Sequence, residues 1–127
     1  MRWRGMAFAV ALSVAVAGPA LAQGLSIQVG KKAQLFGGRE GVRLQVTTTC
    51  PEGAVPLEGF IYVTQRGIES DFGGLPLICD GEPHTGTVSV HTFDDLKFKK
   101  GKANWSGYIL LESGESISPS GTVQLKK

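Results

Sequence analysis

The sequence is poor in the residue types from which catalytic and metal sites are built. It holds two histidines, His84 and His91, and two cysteines, Cys50 and Cys79, among 127 residues. No G-x-S-x-G turn accompanies the histidines, so a serine activated by a positioned base has no support. The cysteines are not paired as C-x-x-C, the spacing a redox site would use. An excess of one charge sign is missing as well. Arg2 and Arg4 fall in an N-terminal leader, so thirteen basic residues become eleven, equal to the eleven acids. A neutral chain lacks the global field that grips nucleic acid, and no nucleic-acid partner is expected. There is no glycine loop opening a helix to cradle phosphate, no internal repeat and no low-complexity segment, and no cofactor is implied.

What is present starts with the leader. Residues Met1–Ala22 combine Arg2 and Arg4, an apolar run from Met6 to Ala17, a Gly18-Pro19 break and the small-x-small triplet Ala20-Leu21-Ala22. This is the pattern of a secretory signal peptide cleaved before Gln23. The apolar run is shorter than the roughly 20 residues that span a bilayer as a helix, so no stable membrane insertion is expected after cleavage. A secreted or periplasmic product follows, with residues 23–127 as a single domain. Its roughly 105 residues suffice for one core and exclude a two-lobed enzyme. In an exported chain, Cys50 and Cys79 pair by default as a structural disulfide.

Hydrophobic residues in this domain recur with period two, and glycine and proline punctuate the chain every ten or so positions. Leu25, Ile27 and Val29 alternate in a first strand. Val42, Leu44, Val46, Thr48 and Cys50 share one face of the clearest strand, which sends the Cys50 sulfur into the core. Gly59–Gln65 reads as a central strand, apolar on both faces, and Leu75–Cys79 as a short strand demoted by Pro76. Further strands are read at Thr87–Phe93, Lys102–Leu111 and Gly121–Leu125. Seven strands and no helix predict an antiparallel β-sandwich, with the disulfide joining its two packed layers; a small barrel is the runner-up.

The strand ending in Cys50-Pro51-Glu52-Gly53, the second cysteine at Cys79, and Phe98-Lys99-Lys100-Gly101-Lys102-Ala103 leading into a late strand resemble small immunoglobulin-like domains of exported bacterial proteins. The resemblance is architectural and implies an immunoglobulin-like sandwich over most of the exported chain. Two features depart from antibody-type domains: no tryptophan lies between the cysteines, and position 77 is leucine where those domains carry tyrosine. Antibody-like recognition is therefore not carried over.

Several clusters invite functional readings. His84, His91, Asp94 and Asp95 have metal-capable side chains, but histidines seven apart on one strand face opposite sides of a sheet. Adjacent Asp94 and Asp95 suit a turn better than the separated carboxylates of a glycosidase. Ser118 and Ser120 flank Pro119 in a turn-forming stretch, and Trp105 fits a core position. Asn104-Trp105-Ser106 matches a glycosylation pattern but falls within a strand. Lys97, Lys99, Lys100 and Lys102 form the one local concentration of charge. They read either as a patch for an anionic partner or as protection of an edge strand against aggregation. Tyr62 and Tyr108 make a platform for sugar or peptide if they face the same way.

By subtraction, these readings lead to an exported, non-catalytic binding or envelope module with a protein or glycan partner, using Lys97, Lys99, Lys100, Lys102, Tyr62 and Tyr108. An alternative is an inhibitor of an exported hydrolase acting through the Gly67–Gly74 and Ser113–Gly121 loops, although the N-P-T-T-G loop of immunoglobulin-like cysteine-protease inhibitors is absent. A small hydrolase or metal protein using His84 or His91 ranks last.

Overall fold

Every described element is a strand. The structure, a computed structural model, describes residues 24–127; the leader read over residues 1–22 and the cleavage point before Gln23 lie outside the described residues. Ser26–Val29 (β1) and Lys32–Phe36 (β2) are followed by Gly41–Thr49 (β3) and Pro56–Gln65 (β4). Two short pairings, Ile68–Glu69 (β5) and Gly73–Gly74 (β6), precede Pro83–His91 (β7). Gly101–Leu111 (β8), Ser116–Ile117 (β9) and Ser120–Lys126 (β10) complete the chain.

The hydrogen-bonded path runs β1-β3-β2-β10-β8-β4-β5, with β7 on the free side of β3, β6 on β4 and β9 on β8. β1 and β2 pair in turn with the two ends of β3, and β2 also pairs in parallel with β10, Lys32 opposite Gln124. β2 thus carries the ladder from the β1–β3–β7 strands to the β10–β8–β4 strands, which enclose one core between them. Ile27 of β1 reaches across to Gly107 of β8, where any added Cβ would lie 2.8 Å from its Cδ1.

Alternation accounts for the core. Val42, Leu44, Val46 and Thr48 point inward from β3 and meet Ile61 and Val63 from β4, Trp105 and Ile109 from β8, and Val123 from β10. Each such side chain contributes about 1.5–3 kcal/mol by leaving water. Phe98, fully buried, enters from the loop before β8.

Three expectations need correction. Ten segments replace about seven strands, because β5, β6 and β9 are two-residue pairings too short to show a period, and β2 is not among the strands that the sequence predicts. The sheet is not wholly antiparallel, since β2 runs parallel to β10. Leu75–Cys79 is not a strand. With Pro76 offering no N–H, the chain takes two three-residue turns there, Leu77 N–H to the Leu75 carbonyl at 2.9 Å and Asp80 N–H to the Ile78 carbonyl at 3.1 Å.

That turning segment closes one margin of the core as a strap. Buried Thr48 donates its hydroxyl to the Pro76 carbonyl at 2.7 Å, while Leu77 lies over Gly59 of β4. The Cys50–Cys79 disulfide is present and fastens the strap to the end of β3. Thr49, beside Cys50, pairs with Pro83 four residues past Cys79, while Leu75 at the other end of the strap donates its N–H to the Gly59 carbonyl of β4 at 3.3 Å. A disulfide is what an oxidising compartment permits.

Candidate functional site

Alternation along β4 sends Ile61 and Val63 into the core and Phe60 and Tyr62 outward. Register then brings Tyr108 of β8 opposite Phe60, and Ser106 opposite Tyr62. Phe72 folds over this row, its ring 4.6 Å from Phe60 and 5.5 Å from Tyr62, with Phe60 to Tyr108 at 5.5 Å. These separations lie within the range of favourable aromatic pairing. The result is an open groove of about 870 Å³ with an aromatic floor, Glu69, Ser70, Asp71, Phe72 and Phe93 on one side, and Ser118 and Ser120 on the other.

The walls are held by polar contacts that local sequence does not advertise. Buried Ser70 accepts the Val63 N–H at 2.8 Å through its hydroxyl, which in turn donates to the Asp71 carbonyl. The hydroxyl extends the β4–β5 ladder by one rung beyond Glu69. Asp71 N–H donates to the His91 carbonyl at 2.7 Å, and the Asp71 carboxylate accepts His91 N–H at 2.8 Å. The wall is thereby tied to β7. Gly73 is needed for this approach, since a Cβ there would stand 2.5 Å from Val88 and 2.9 Å from Val90. Two aromatic rings remain open to solvent, Phe72 at 66% and Phe93 at 54%.

Tyr62 and Tyr108 therefore share one exposed face. Lys97, Lys99, Lys100 and Lys102 do not line their groove. Lys102 lies on the same outward face of β8 as Tyr108 but six residues along, roughly 20 Å at strand rise. The lysines gather instead around Gln65, whose side-chain amide donates to the Lys99 carbonyl at 2.8 Å and the Lys102 carbonyl at 3.2 Å and accepts Lys99 N–H at 2.8 Å. The edge-strand reading of these lysines fails. Residues 97–100 are in no strand, and β8, which carries Lys102, is paired on both sides.

His84 and His91 lie at opposite ends of β7 and on opposite faces. His84 Nε2 is 2.9 Å from both Asp80 oxygens, whereas the His91 ring meets Phe36 edge-on. The Asp80 carboxyl is held below its ordinary value, first by the Glu82 N–H it accepts and then by His84. Asp71 touches His91 only through the latter's main chain, so the contact orients a loop and builds no acid–base pair. Asp94 and Asp95, with φ of 56° and 59°, occupy consecutive left-handed positions at a turn, where aspartate is tolerated better than most side chains. Trp105 is a core residue, packed over Gly121.

The sequence reading missed Phe60, Phe72 and Phe93 as groove residues. Phe60 was legible through its two-residue offset from Tyr62; Phe72 and Phe93 sit in connections whose fold no local period encodes. No protein-family model matches this sequence, and no curated protein matches it.

Proposed function

We propose that the protein is an exported binding module: a leader over residues 1–22 sends it out of the cytoplasm, and an immunoglobulin-like sandwich then presents the aromatic groove to a ligand. The exported location is supported by the leader pattern together with the Cys50–Cys79 bridge. The sandwich reading is supported by two strand groups that enclose one core, with β2 shared between them.

The observation that carries the function is the groove. Phe60, Tyr62, Phe72 and Tyr108 are stacked where the fold does not need them, on the outer face of β4 and β8. Rigid aromatic side chains of this kind anchor a partner at low ordering cost. The two loops named as inhibitory candidates, Gly67–Gly74 and Ser113–Gly121, supply its opposite walls, which favours a ligand lying between them over an active site capped by one loop. The module acts by binding a protein or glycan and not by turnover.

Arrays of glycans and of peptides, probed with the wild-type protein and with a Phe72→Ser/Tyr108→Ser variant, test this. A ligand retained by the wild type and bound at least about tenfold more weakly by the variant is expected, since each truncated anchor costs upwards of about 1 kcal/mol. Equal retention by both proteins, or no retention on either array, would overturn the proposal.

A further inference from the structure

Charge in this near-neutral chain is sorted by position along the strands. At the end formed by the β3–β4 turn, the strap and the β8–β9 turn lie Glu52, Glu58, Asp80, Glu82, Glu112 and Glu115, with no lysine or arginine among the described residues there. The opposite end gathers cations from four separate segments. Lys97, Lys99 and Lys100 come from the loop entering β8, and Lys102 from the start of that strand. Arg39 comes from the β2–β3 turn, its carbonyl accepting Phe98 N–H at 2.9 Å, and Arg66 follows Gln65. Lys126 and Lys127 stand at the far end of β10, with Lys127 beside Arg39. Glu40, Asp94 and Asp95 belong to this end and Glu69 and Asp71 border it, Glu69 paired with Thr64 and Asp71 bonded to His91, so eight cations against five carboxylates leave a surplus of three.

Distance decides what such a molecule feels. β8 alone has 11 residues, so the two ends are separated by roughly 35 Å at strand rise. The Debye length at physiological salt is about 8 Å. An anionic plane touching the basic end interacts with the surplus there, and the six carboxylates are screened from it. The cations are spread across an end and are not aligned along one groove, which suits an extended plane better than a single polymer chain. Leu96, 47% exposed in the same loop, adds an apolar contact that a lipid interface can take up. The loop is fixed in advance by buried Phe98 and by the Gln65 amide, so little ordering is left to pay at contact.

We propose that the basic end is a docking surface for an anionic phospholipid bilayer, on which the protein stands with its acidic end outward and its aromatic groove open to the side. Binding is peripheral and reversible, through phosphate headgroups met by the lysines.

Sedimentation with vesicles containing about 30% phosphatidylglycerol in phosphatidylcholine tests this, each exposed lysine being worth about fivefold in partitioning at such surfaces. Wild type is expected to sediment with these vesicles and not with pure phosphatidylcholine, and to be released near 1 M salt, where the Debye length falls to about 3 Å. A Lys97→Ala/Lys99→Ala/Lys100→Ala variant, whose lysines are exposed and whose circular dichroism should match wild type, is expected to lose about a hundredfold. Glu52→Gln/Glu112→Gln should leave partitioning unchanged. Absence of sedimentation, a triple variant that binds as well as wild type, or tighter binding to soluble dextran sulfate than to the vesicles would each overturn the proposal.

Discussion

Gln65 is the residue on which the geometry of the basic loop turns. It is 6% exposed and makes three hydrogen bonds to the Lys99 and Lys102 main chain. Gln65→Met keeps the side chain's length and removes both polar ends, leaving Lys99 N–H and two carbonyls without these partners. At roughly 0.5–1.5 kcal/mol for each bond, the loss is about 3 kcal/mol. A domain of this size has about 5–15 kcal/mol in total. Urea unfolding followed by Trp105 fluorescence measures the difference, and a fall in Tm of about 12 °C or more accompanies it. Hydrogen exchange gives the local readout, because the Lys99 amide is expected to lose protection. Gln65→Glu is the sharper control, since its carboxylate faces two carbonyls that the amide now satisfies, and it should be at least as damaging at neutral pH. A loss below about 1 kcal/mol with Lys99 protection intact, or a glutamate variant milder than the methionine one, would refute this account.

Replacing Cys50 and Cys79 by serine opens a loop spanning 29 positions and is expected to cost roughly 3.5 kcal/mol by equilibrium unfolding; an unchanged midpoint would show that the strap holds without the bridge. Gly73→Ala forces a Cβ to 2.5 Å from Val88 and should cost about 1–3 kcal/mol and loosen the groove wall, read as faster exchange at Ser70 and Asp71. The Asp80 carboxyl is lowered from 3.8, so the stability it lends is complete above that value and disappears as pH falls through the lowered one. Asp80→Asn should therefore lower Tm at neutral pH and converge on wild type in strong acid, and a gap that persists in acid would contradict the assignment.

Strands of nine to eleven residues were legible because burial imposes alternation on them, as in Val42–Leu44–Val46–Thr48 and Ala103–Trp105–Gly107–Ile109. Sequence placed Tyr62 and Tyr108 on strands without fixing that they face the same way, and the β4–β8 register puts them on one surface. Register itself was not legible, being set by pairs such as Phe60 with Tyr108 that lie 48 positions apart. Two-residue pairings such as β5 and β6 have too few residues for any period. Their position follows from Ser70 and Asp71, whose hydrogen bonds reach β4 and β7. Pro76 misled in an informative way. It was weighed as a weak strand residue, whereas the neighbouring turns, the Thr48 hydroxyl and the disulfide convert its segment into a strap.

β4 links the two candidate surfaces by the geometry of alternation. Its outward residues, Phe60 and Tyr62, floor the groove, and three positions beyond Tyr62 the inward-facing Gln65 holds the basic loop. An odd offset separates the two roles, so a one-residue slip of β4 would exchange them, turning Gln65 to solvent and an aromatic ring into the core. That slip is opposed from both flanks. The β8 register fixes one edge, and the Ser70 hydroxyl on Val63 N–H together with the Gly73–Ile61 pairing fixes the other. Groove and basic end are consequently specified by one set of main-chain hydrogen bonds, and a substitution at Ser70 that breaks the outer flank should disturb both surfaces although it touches neither the aromatic floor nor a lysine.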